Sequence, residues 1–407
     1  MSKIHSNSTD ELVSQLLADH FVSPQLSAAN SDPIPDLDTG IAESLALPVG
    51  FPSLNEFVFE GDLVAIVLQD NIAKPIEILS VLTSALVDAG IATTDMYVVI
   101  SPRTAEYLGL DQADYLPATD DAEKPTPILE LELENRKLNL QVHAASNPIG
   151  NSYLVANQEG EPVVVNRVLV DADVVIPIGF PVSGEASQQV DCVYPTFSSV
   201  EAQSRLPKAS FLTRNEEINL ANDSLGCFFS IQLVCGPGNL IHEVICGARN
   251  EVISLARNAT SHLWSFHCDH LADFTVTTIE SVDQSWDDLV NAVVIADGVS
   301  KSENPIVIWS EVDKMPNRQI RLACRIQFDP SANTGLDEKL QRFVDVLQQR
   351  PVFLRSKLKR QEVEDLGFGF IQTGEEILKI AGDRQNRILI RDAHHCQIIE
   401  NVESTNS

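Results

Sequence analysis

Three charged residues occupy positions where parallel α/β proteins bind their ligands. Asp70 lies two positions after the apolar run 63–68, Lys74 comes four residues later, and Arg103 follows a second apolar run at 97–100. Ligands of open parallel sheets bind beyond the carboxyl ends of the strands, and the planar guanidinium of arginine suits a carboxylate. The three residues predict a small-anion site, although Asp70 is equally compatible with an exposed cap before the next helix.

The densest group of potential metal ligands is His267-Cys268-Asp269-His270. Histidine, cysteine and aspartate all bind zinc, and imidazole suits nickel. His267 and His270 would share one face of a helix. No second ligand pair follows at a recognisable spacing. We therefore favour polar residues at a domain junction and keep His267 and His270 as the candidate metal ligands.

Other chemical signatures are absent or ambiguous. The sequence contains no G-x-G-x-x-G, Walker A, G-x-S-x-G or H-E-x-x-H motif. The segment 179–184, GFPVSG, follows an apolar run. It would either cradle an anion or form a plain connecting turn.

The elements that carry these residues predict an α/β fold. A βαβ unit is predicted from the apolar run 63–68, the helical pattern from Pro75 to Gly90 and the apolar run 97–100. Because both strands are apolar on both faces, they are expected in a parallel sheet that is covered on both sides. Residues 228–235 and 240–246 predict a β-hairpin. A second αβ series begins near residue 271, with strands at 274–279, 305–309 and 387–391.

A chain of 407 residues is too long for one ordinary core, so two domains are expected. We expect a polar mobile arm over 1–48, an N-terminal domain over 49–268 and a C-terminal α/β domain over 269–407, whose last strand could return to the N-terminal domain. A short amphipathic helix in the arm would dock on the body or on a partner. Each domain would hold a mainly parallel or mixed sheet flanked by helices, with a cleft between the domains.

The charge balance restricts the partners. The chain has 28 Lys and Arg against 58 Asp and Glu, a net charge of −30. Such a surface repels nucleic acid and anionic membrane faces, so an anionic ligand needs a local cationic pocket. The seven cysteines include no C-x-x-C pair, and the sequence shows neither a signal peptide nor a long apolar run. We therefore expect a cytoplasmic protein with reduced thiols.

Three segments resemble the nickel-dependent (nickel-pincer) lactate racemase family. They are GDLVAIVLQDNIAKP from residue 61, GEPVVVNRVLVDADVVIPIG over 160–179, and LIHEVICG from residue 240. The second is the most specific, because it looks like the family's G-x-P-V-x-x-N-R and A-D-x-x-I-x-x-G pattern. YPTFS at 194–198 and VEDLG at 363–367 resemble a divergent subgroup of that family. The similarity covers most of residues 55–395.

The resemblance implies a 2-hydroxyacid racemase. In such enzymes a nickel-pincer nucleotide, tethered through a lysine, takes a hydride from the lactate α-carbon and returns it to either face. Two histidines serve as the acid/base pair, a third binds nickel, and an arginine holds the substrate carboxylate.

Little of that machinery carries over to this sequence. Asp70 matches the family's aspartate, but the arginine position falls on Ala73, one residue before Lys74. In the G-T-H-R motif, the acid/base histidine has become Pro102 while Arg103 is kept. The run 180–195 should supply a histidine and the tethering lysine, and it contains neither. The next histidine for nickel is His242, so the family's cofactor is implied but its ligands are not found.

Two functions are compatible with these residues. The chain is either a lactate racemase-like 2-hydroxyacid racemase or epimerase with a degenerate active site, or a non-catalytic protein of the same fold that binds a small anion or serves as a scaffold. The first would bind a small anion such as a 2-hydroxy acid with Asp70, Lys74 and Arg103 in the cleft between the domains. In the second, the cleft would hold a small anion or nothing.

Overall fold

The computed structural model describes residues 6–19, 21–22, 32–115, 126–133, 136–181, 192–268, 270–280, 284–328, 336 and 338–399. Contacts divide the chain into two compact units. The first unit comprises residues 31–236 and 240–260. The second unit comprises residues 1–30, 237–239 and 261–407.

The strands are numbered in chain order. They are β1 (Val64–Leu68), β2 (Met96–Ile100), β3 (Ile128–Leu133), β4 (Arg136–Val142), β5 (Asn151–Ala156), β6 (Pro162–Asn166), β7 (Val174–Gly179), β8 (Phe229–Gly236), β9 (Leu240–Ala248), β10 (Ser265–His267), β11 (Phe274–Thr278), β12 (Ile306–Trp309), β13 (Val352–Arg355), β14 (Gly369–Phe370), β15 (Arg387–Ile390) and β16 (Gln397–Ile399).

The helices follow the same convention. They are α1 (Ser6–Ala18), α2 (Leu37–Ala46), α3 (Leu54–Phe57), α4 (Pro75–Asp88), α5 (Pro102–Tyr107), α6 (Gln112–Tyr115), α7 (Arg167–Asp171), α8 (Val200–Arg205), α9 (Phe211–Ser224), α10 (Arg249–Trp264), α11 (Trp286–Gly298), α12 (Arg318–Ile326), α13 (Glu338–Gln349), α14 (Arg360–Asp365) and α15 (Gly374–Ala381).

The first unit is built on a seven-stranded mixed sheet in the order β3-β4-β2-β1-β7-β8-β9. Five adjacent strands of this sheet are parallel, namely β4, β2, β1, β7 and β8. The edge strands β3 and β9 pair antiparallel with β4 and β8. The carboxyl ends of β4, β2, β1 and β7 therefore lie along one edge, which we call the carboxyl edge. β8 and β9 pair as the predicted hairpin, and the α/β class predicted from the sequence is confirmed.

Side-chain alternation gives this sheet two buried faces. Ile66, Val98 and Leu140 belong to a core cluster shared with α2 and α4. Val67 and Val99 point to the opposite face, where they pack in a second cluster with α7 and residues 192–227. Because successive residues of a strand point to opposite faces, apolar residues throughout β1 are the expected pattern for a sheet covered on both sides.

The second unit contains a five-stranded sheet in the order β14-β13-β12-β11-β15. All four strand pairs are parallel. The amphipathic helix predicted in the N-terminal segment is α1, and its Leu12 and Leu16 are buried in one cluster with Phe274 and Leu389 of this sheet. A separate parallel pair joins β10 to β16.

Strand β3 and helix α9 are among the elements that were not predicted. Strand β3 lies at the sheet edge with its Glu130 and Ile128 exposed. Helix α9 carries few apolar residues, and its buried Ile218 and Ala221 make only a narrow strip. Helix α9 lacks a wide apolar face, whereas the alternation of apolar and acidic residues in ILELEL was the available signal for β3.

Candidate functional site

Asp70 lies at the carboxyl edge, in the loop that joins β1 to α4. Two residues of this loop, Asn71 at φ 61° and Lys74 at φ 51°, adopt left-handed backbone conformations. Asparagine tolerates this region better than most residues, whereas lysine adopts it rarely. Lys74 is also the residue that caps α4 before Pro75. The loop therefore turns twice between the strand and the helix.

Two hydroxyl groups hold the Asp70 carboxylate in place. Ser101 donates a short hydrogen bond to Asp70 Oδ1, and Thr104 Oγ1 donates to the same oxygen at 3.0 Å. Ser101 caps α5, since its Oγ accepts a hydrogen bond from the Thr104 backbone N–H at 3.1 Å. Both hydroxyl residues are buried. Within the described part of the chain, Asp70 Oδ2 accepts no hydrogen bond.

The two predicted cations occupy different positions relative to Asp70. Lys74 Nζ lies 3.1 Å from Glu77 Oε2, and both side chains are about half exposed. Arg103 is exposed in the first turn of α5, between Ser101 and Thr104 in sequence. The structure therefore joins Asp70 to the hydroxyls that flank Arg103, and it pairs Lys74 with a carboxylate on its own helix.

The neighbouring strand ends contribute amide groups. Gln69 Oε1 accepts a hydrogen bond from the Phe180 backbone N–H at 3.0 Å. A Cβ on Gly179 would lie 2.6 Å from Gln69 Oε1 and 3.3 Å from Gln232 Nε2, so glycine allows these amides to approach the backbone. Of the predicted glycine segment 179–184, residues 182–184 lie outside the described residues.

His143 follows β4 at the same edge and was not singled out from the sequence. Its Nε2 lies 2.9 Å from the Ser198 carbonyl oxygen, and its Nδ1 lies 3.3 Å from Asn166 Nδ2. A neutral ring that carries its proton on Nε2 satisfies both bonds. Burial lowers the pKa of His143 to about 4. This histidine is therefore neutral at pH 7, with both nitrogens occupied, and its position after an apolar strand was the available sequence signal.

A buried carboxylate holds the segment that contains Ser198. Glu217 accepts a short hydrogen bond from the Tyr194 hydroxyl, one at 2.7 Å from Asn157 Nδ2, and two from the Arg205 guanidinium at 2.8 and 2.7 Å. Burial by itself raises the pKa of Glu217, but these donors outweigh it and the net pKa is lowered. Burial, with help from the Glu217 charge, raises the pKa of Tyr194 well above its usual range.

The histidines considered as metal ligands are His267 and His270 of the second unit and His242 of the first unit. His267, at the end of β10, and His270 are both exposed, and Asp269 lies outside the described residues. The ring of His242 lies over Gly236, where an added Cβ would come within 2.4 Å of Nε2. Across the described ranges, no group of three His, Cys, Asp or Glu side chains could hold a metal ion.

Three of the seven cysteines are too deeply buried to act as nucleophiles. Burial raises the pKa of the Cys235, Cys246 and Cys324 thiols to about 12. The thiolate is the reactive form of cysteine. These three side chains are therefore inert at neutral pH.

The fold is similar to that of lactate racemase. The chain matches the structure of the lactate racemase apoprotein from Thermoanaerobacterium thermosaccharolyticum with a TM-score of 0.58 and 14% identity, over 93% of this chain and 94% of that one. It matches a Thermotoga maritima protein from a structural genomics consortium with a TM-score of 0.58 and 16% identity, over 90% and 99% of the two chains. No protein-family model and no curated protein sequence matches the chain.

The described residues at the carboxyl edge do not fit the nickel-pincer nucleotide that the sequence resemblance implies. The edge offers one carboxylate, one amide and two hydroxyl groups, from Asp70, Gln69, Ser101 and Thr104. The cofactor would require a lysine tether and an imidazole ligand for nickel. Both ring nitrogens of His143 are occupied. The lysine-free and histidine-free run 180–195 includes residues 182–191, which lie outside the described ranges.

No helix in the described ranges is both long enough and apolar enough to span a membrane.

Proposed function

We propose that this chain is a lactate racemase-like protein that binds a small 2-hydroxy acid at the carboxyl edge of its first unit without the nickel-dependent reaction. The observation that carries the proposal is the Asp70 carboxylate. Its Oδ1 is held by Ser101 and Thr104, and its Oδ2 accepts no hydrogen bond from the described residues. A ligand hydroxyl would donate its proton to Oδ2, and a charged acceptor makes this a strong hydrogen bond.

The ligand carboxylate would be bound by Arg103 and Lys74. Arg103 belongs to the helical turn that holds Asp70, and its planar guanidinium can bind a carboxylate through two parallel hydrogen bonds. Lys74 pairs with Glu77, but exposed pairs contribute only about 0–1 kcal/mol. Exchange of Glu77 for a ligand carboxylate therefore costs little. In a chain of net charge −30 these two cations would supply the local positive charge that an anion needs.

The residues beside Asp70 support binding without racemisation. Pro102 has no titratable group at the position of the family's acid/base histidine. Loss of such a group lowers the rate by about 10²–10⁴-fold. His143, which follows β4 at the same edge of the sheet, is held neutral with both nitrogens occupied, so it does not replace the missing group.

Calorimetry on the full chain tests the proposal, with L-lactate, D-lactate and 2-hydroxybutyrate as probes. We expect saturable binding and a loss of about tenfold or more in affinity for Asp70→Asn and Arg103→Ala, since each removes a hydrogen bond to a charged group. The amide introduced by Asp70→Asn would still accept hydrogen bonds from Ser101 and Thr104. Arg321→Ala, at an exposed arginine of α12, is the matched control. The proposal is wrong if no probe binds at millimolar concentration, or if both site variants bind as the wild type does.

A second candidate is 2-hydroxyacid racemase or epimerase activity. It is favoured by the similarity to the lactate racemase apoprotein over nearly the whole length of both chains and by Asp70 at the family's aspartate position. Polarimetry with L-lactate, combined with mass-spectrometric metal analysis of natively purified protein, separates the two candidates. Racemisation that depends on bound nickel would replace the binding proposal by this one.

A further inference from the structure

Positive charge is concentrated in one segment of the second unit. Residues 314–360 contain 11 Lys and Arg but only 4 Asp and Glu, so this segment carries a net charge of +7. The rest of the chain therefore carries −37. The segment includes α12, α13 and β13. Such an asymmetry of charge within one chain indicates a surface for an oppositely charged partner.

Five cations of α12 and α13 are exposed, and together we call them the basic face. They are Arg318, Arg321, Arg325, Lys339 and Arg342. The three arginines of α12 have the spacing of a single helix face, and the opposite face of this helix is buried. At a rise of 1.5 Å per residue they span about 10 Å. Helix α13 packs beside α12, where Gln348 Nε2 donates to the Ile326 carbonyl at 3.4 Å.

The protein does not neutralise the basic face with its own carboxylates. Several other cations of the second unit form ion pairs, namely Lys301 with Asp273, Arg350 with Asp297, Arg355 with Glu311 and Arg391 with Glu280. Within the described residues, no ion pair involves the basic face. Arg321 and Arg325 are four residues apart, a spacing at which like charges destabilise a helix. The basic face therefore does not serve the stability of the unit.

An exposed aromatic side chain lies at the end of the arginine row. Phe328 is 66% exposed, in the turn that follows α12 and three positions after Arg325. Its backbone N–H donates to the Arg325 carbonyl at 2.9 Å, which holds the turn against the helix. Arginine and aromatic side chains are enriched where proteins bind one another. The surface therefore offers positive charge beside an apolar contact.

The charge of the remaining chain restricts the partner. A long polyanion or an anionic membrane would extend beyond the basic face and meet the repulsion of the other −37 charges. Phe328 by itself provides neither a row of aromatics for stacked bases nor the apolar face by which a helix enters a bilayer. A short segment would touch the basic face alone, because salt screens charges beyond about 10 Å. Guanidinium groups bind carboxylates through two parallel hydrogen bonds.

We propose that the basic face and Phe328 form a docking site for a short acidic segment of a partner protein, with an apolar residue among its carboxylates. The cations bind the carboxylates, and Phe328 packs against the apolar residue. Exposed charge pairs are individually weak, so binding needs several of them together and weakens as the salt concentration rises. The docking site belongs to the second unit and is independent of the hydroxy-acid site at Asp70 in the first.

Fluorescence anisotropy with the full chain tests the docking site. The probe is a labelled octapeptide of six glutamates and two leucines, and a peptide with glutamine for glutamate is the uncharged probe. We expect saturable, salt-sensitive binding of the acidic probe and none of the uncharged one. The double variant Arg318→Glu with Arg325→Glu should weaken binding about tenfold or more. Its matched control is Lys208→Glu with Arg257→Glu, at exposed cations of the first unit, which changes the net charge equally.

Phe328→Ser provides a second readout. It should weaken binding several-fold at low and high salt alike, because salt does not screen an apolar contact. All variants should melt within a few degrees of the wild type, since the replaced side chains are exposed. Lactate binding at Asp70 should also stay unchanged, so the two proposals fail separately. The docking proposal is overturned if the acidic probe does not bind at millimolar concentration, if the control double variant weakens it equally, or if an oligothymidine or phosphatidylserine vesicles bind more tightly.

Discussion

Replacement of Glu217 by glutamine should destabilise the first unit by about 3 kcal/mol. The carboxylate is 1% exposed and accepts hydrogen bonds from Tyr194, Asn157 and both terminal nitrogens of Arg205. A glutamine side chain has nearly the same shape, but it carries no charge and presents an NH₂ group to a set of donors. Arg205 would then lose its carboxylate partner.

The magnitude follows from the burial of the two partners. Removal of one partner from a buried ion pair costs about 3–5 kcal/mol, because the remaining charge stays desolvated. The side chain of Arg205 is 29% exposed, so water can reach the guanidinium and the lower end of that range applies. For a unit of this size, 1 kcal/mol corresponds to about 2–4 °C in melting temperature. We therefore expect a decrease of about 6–12 °C.

Urea unfolding and thermal melts at pH 7 measure this effect, with Glu216→Gln as the control at the adjacent exposed carboxylate. The pKa of Glu217 is lowered in the folded state, so its contribution is present above the ordinary glutamate pKa of 4.5 and is lost as the pH falls through the folded pKa. The gap between wild type and Glu217→Gln should therefore narrow in acid. A decrease at pH 7 no larger than that of Glu216→Gln would refute the reasoning.

Three further predictions concern other parts of the first unit. Burial lowers the pKa of His143 to about 4, so the unfolded chain binds more protons than the folded chain between pH 6.5 and 4. The free energy of unfolding should therefore decrease by up to about 3 kcal/mol as the pH is lowered through that window. Urea titrations should show a smaller decrease for His143→Gln. Gly247→Ala should lower the free energy of unfolding by about 3 kcal/mol or more, since its Cβ would lie 2.1 Å from the Val49 carbonyl oxygen. In the control Gly160→Ala the added Cβ meets no atom within 4 Å, and the decrease should be about 1 kcal/mol. Equal melting temperatures for the two variants would contradict this prediction. Lys74→Ala should change the free energy of unfolding by less than about 1 kcal/mol while weakening lactate binding in calorimetry, and a large loss of stability would show that its pair with Glu77 is structural.

The βαβ unit was predictable because its signals are local. Strand β1 matches the apolar run at 63–68, α4 matches the helical spacing after Pro75, and β2 matches the apolar run at 97–100. The two strands pair in parallel. Their order places Asp70 at the carboxyl end of a strand without any knowledge of the rest of the chain. The position of the proposed anion site therefore followed from sequence.

The partners of the site residues were not predictable in the same way. Asp70 is bound by Ser101 and Thr104, which lie 31 and 34 positions away in the chain. Lys74, its neighbour in sequence, pairs with Glu77. On spacing alone, Lys74 was as good a candidate partner for Asp70 as the hydroxyl residues of α5. Only the packing of α5 against the end of β1 decides that Ser101 and Thr104 bind it.

Asp70 therefore shows both kinds of information. The sequence by itself determined the α/β class, the βαβ unit and the carboxylate at the strand end, because the periodicity of apolar residues and the positions of proline and glycine act over a few neighbouring residues. Only the tertiary structure decided that Ser101 and Thr104 hold this carboxylate, that His143 is neutral, and that Glu217 gathers donors from positions 157, 194 and 205. These contacts depend on strand order and register, which bring together side chains that are far apart in the chain.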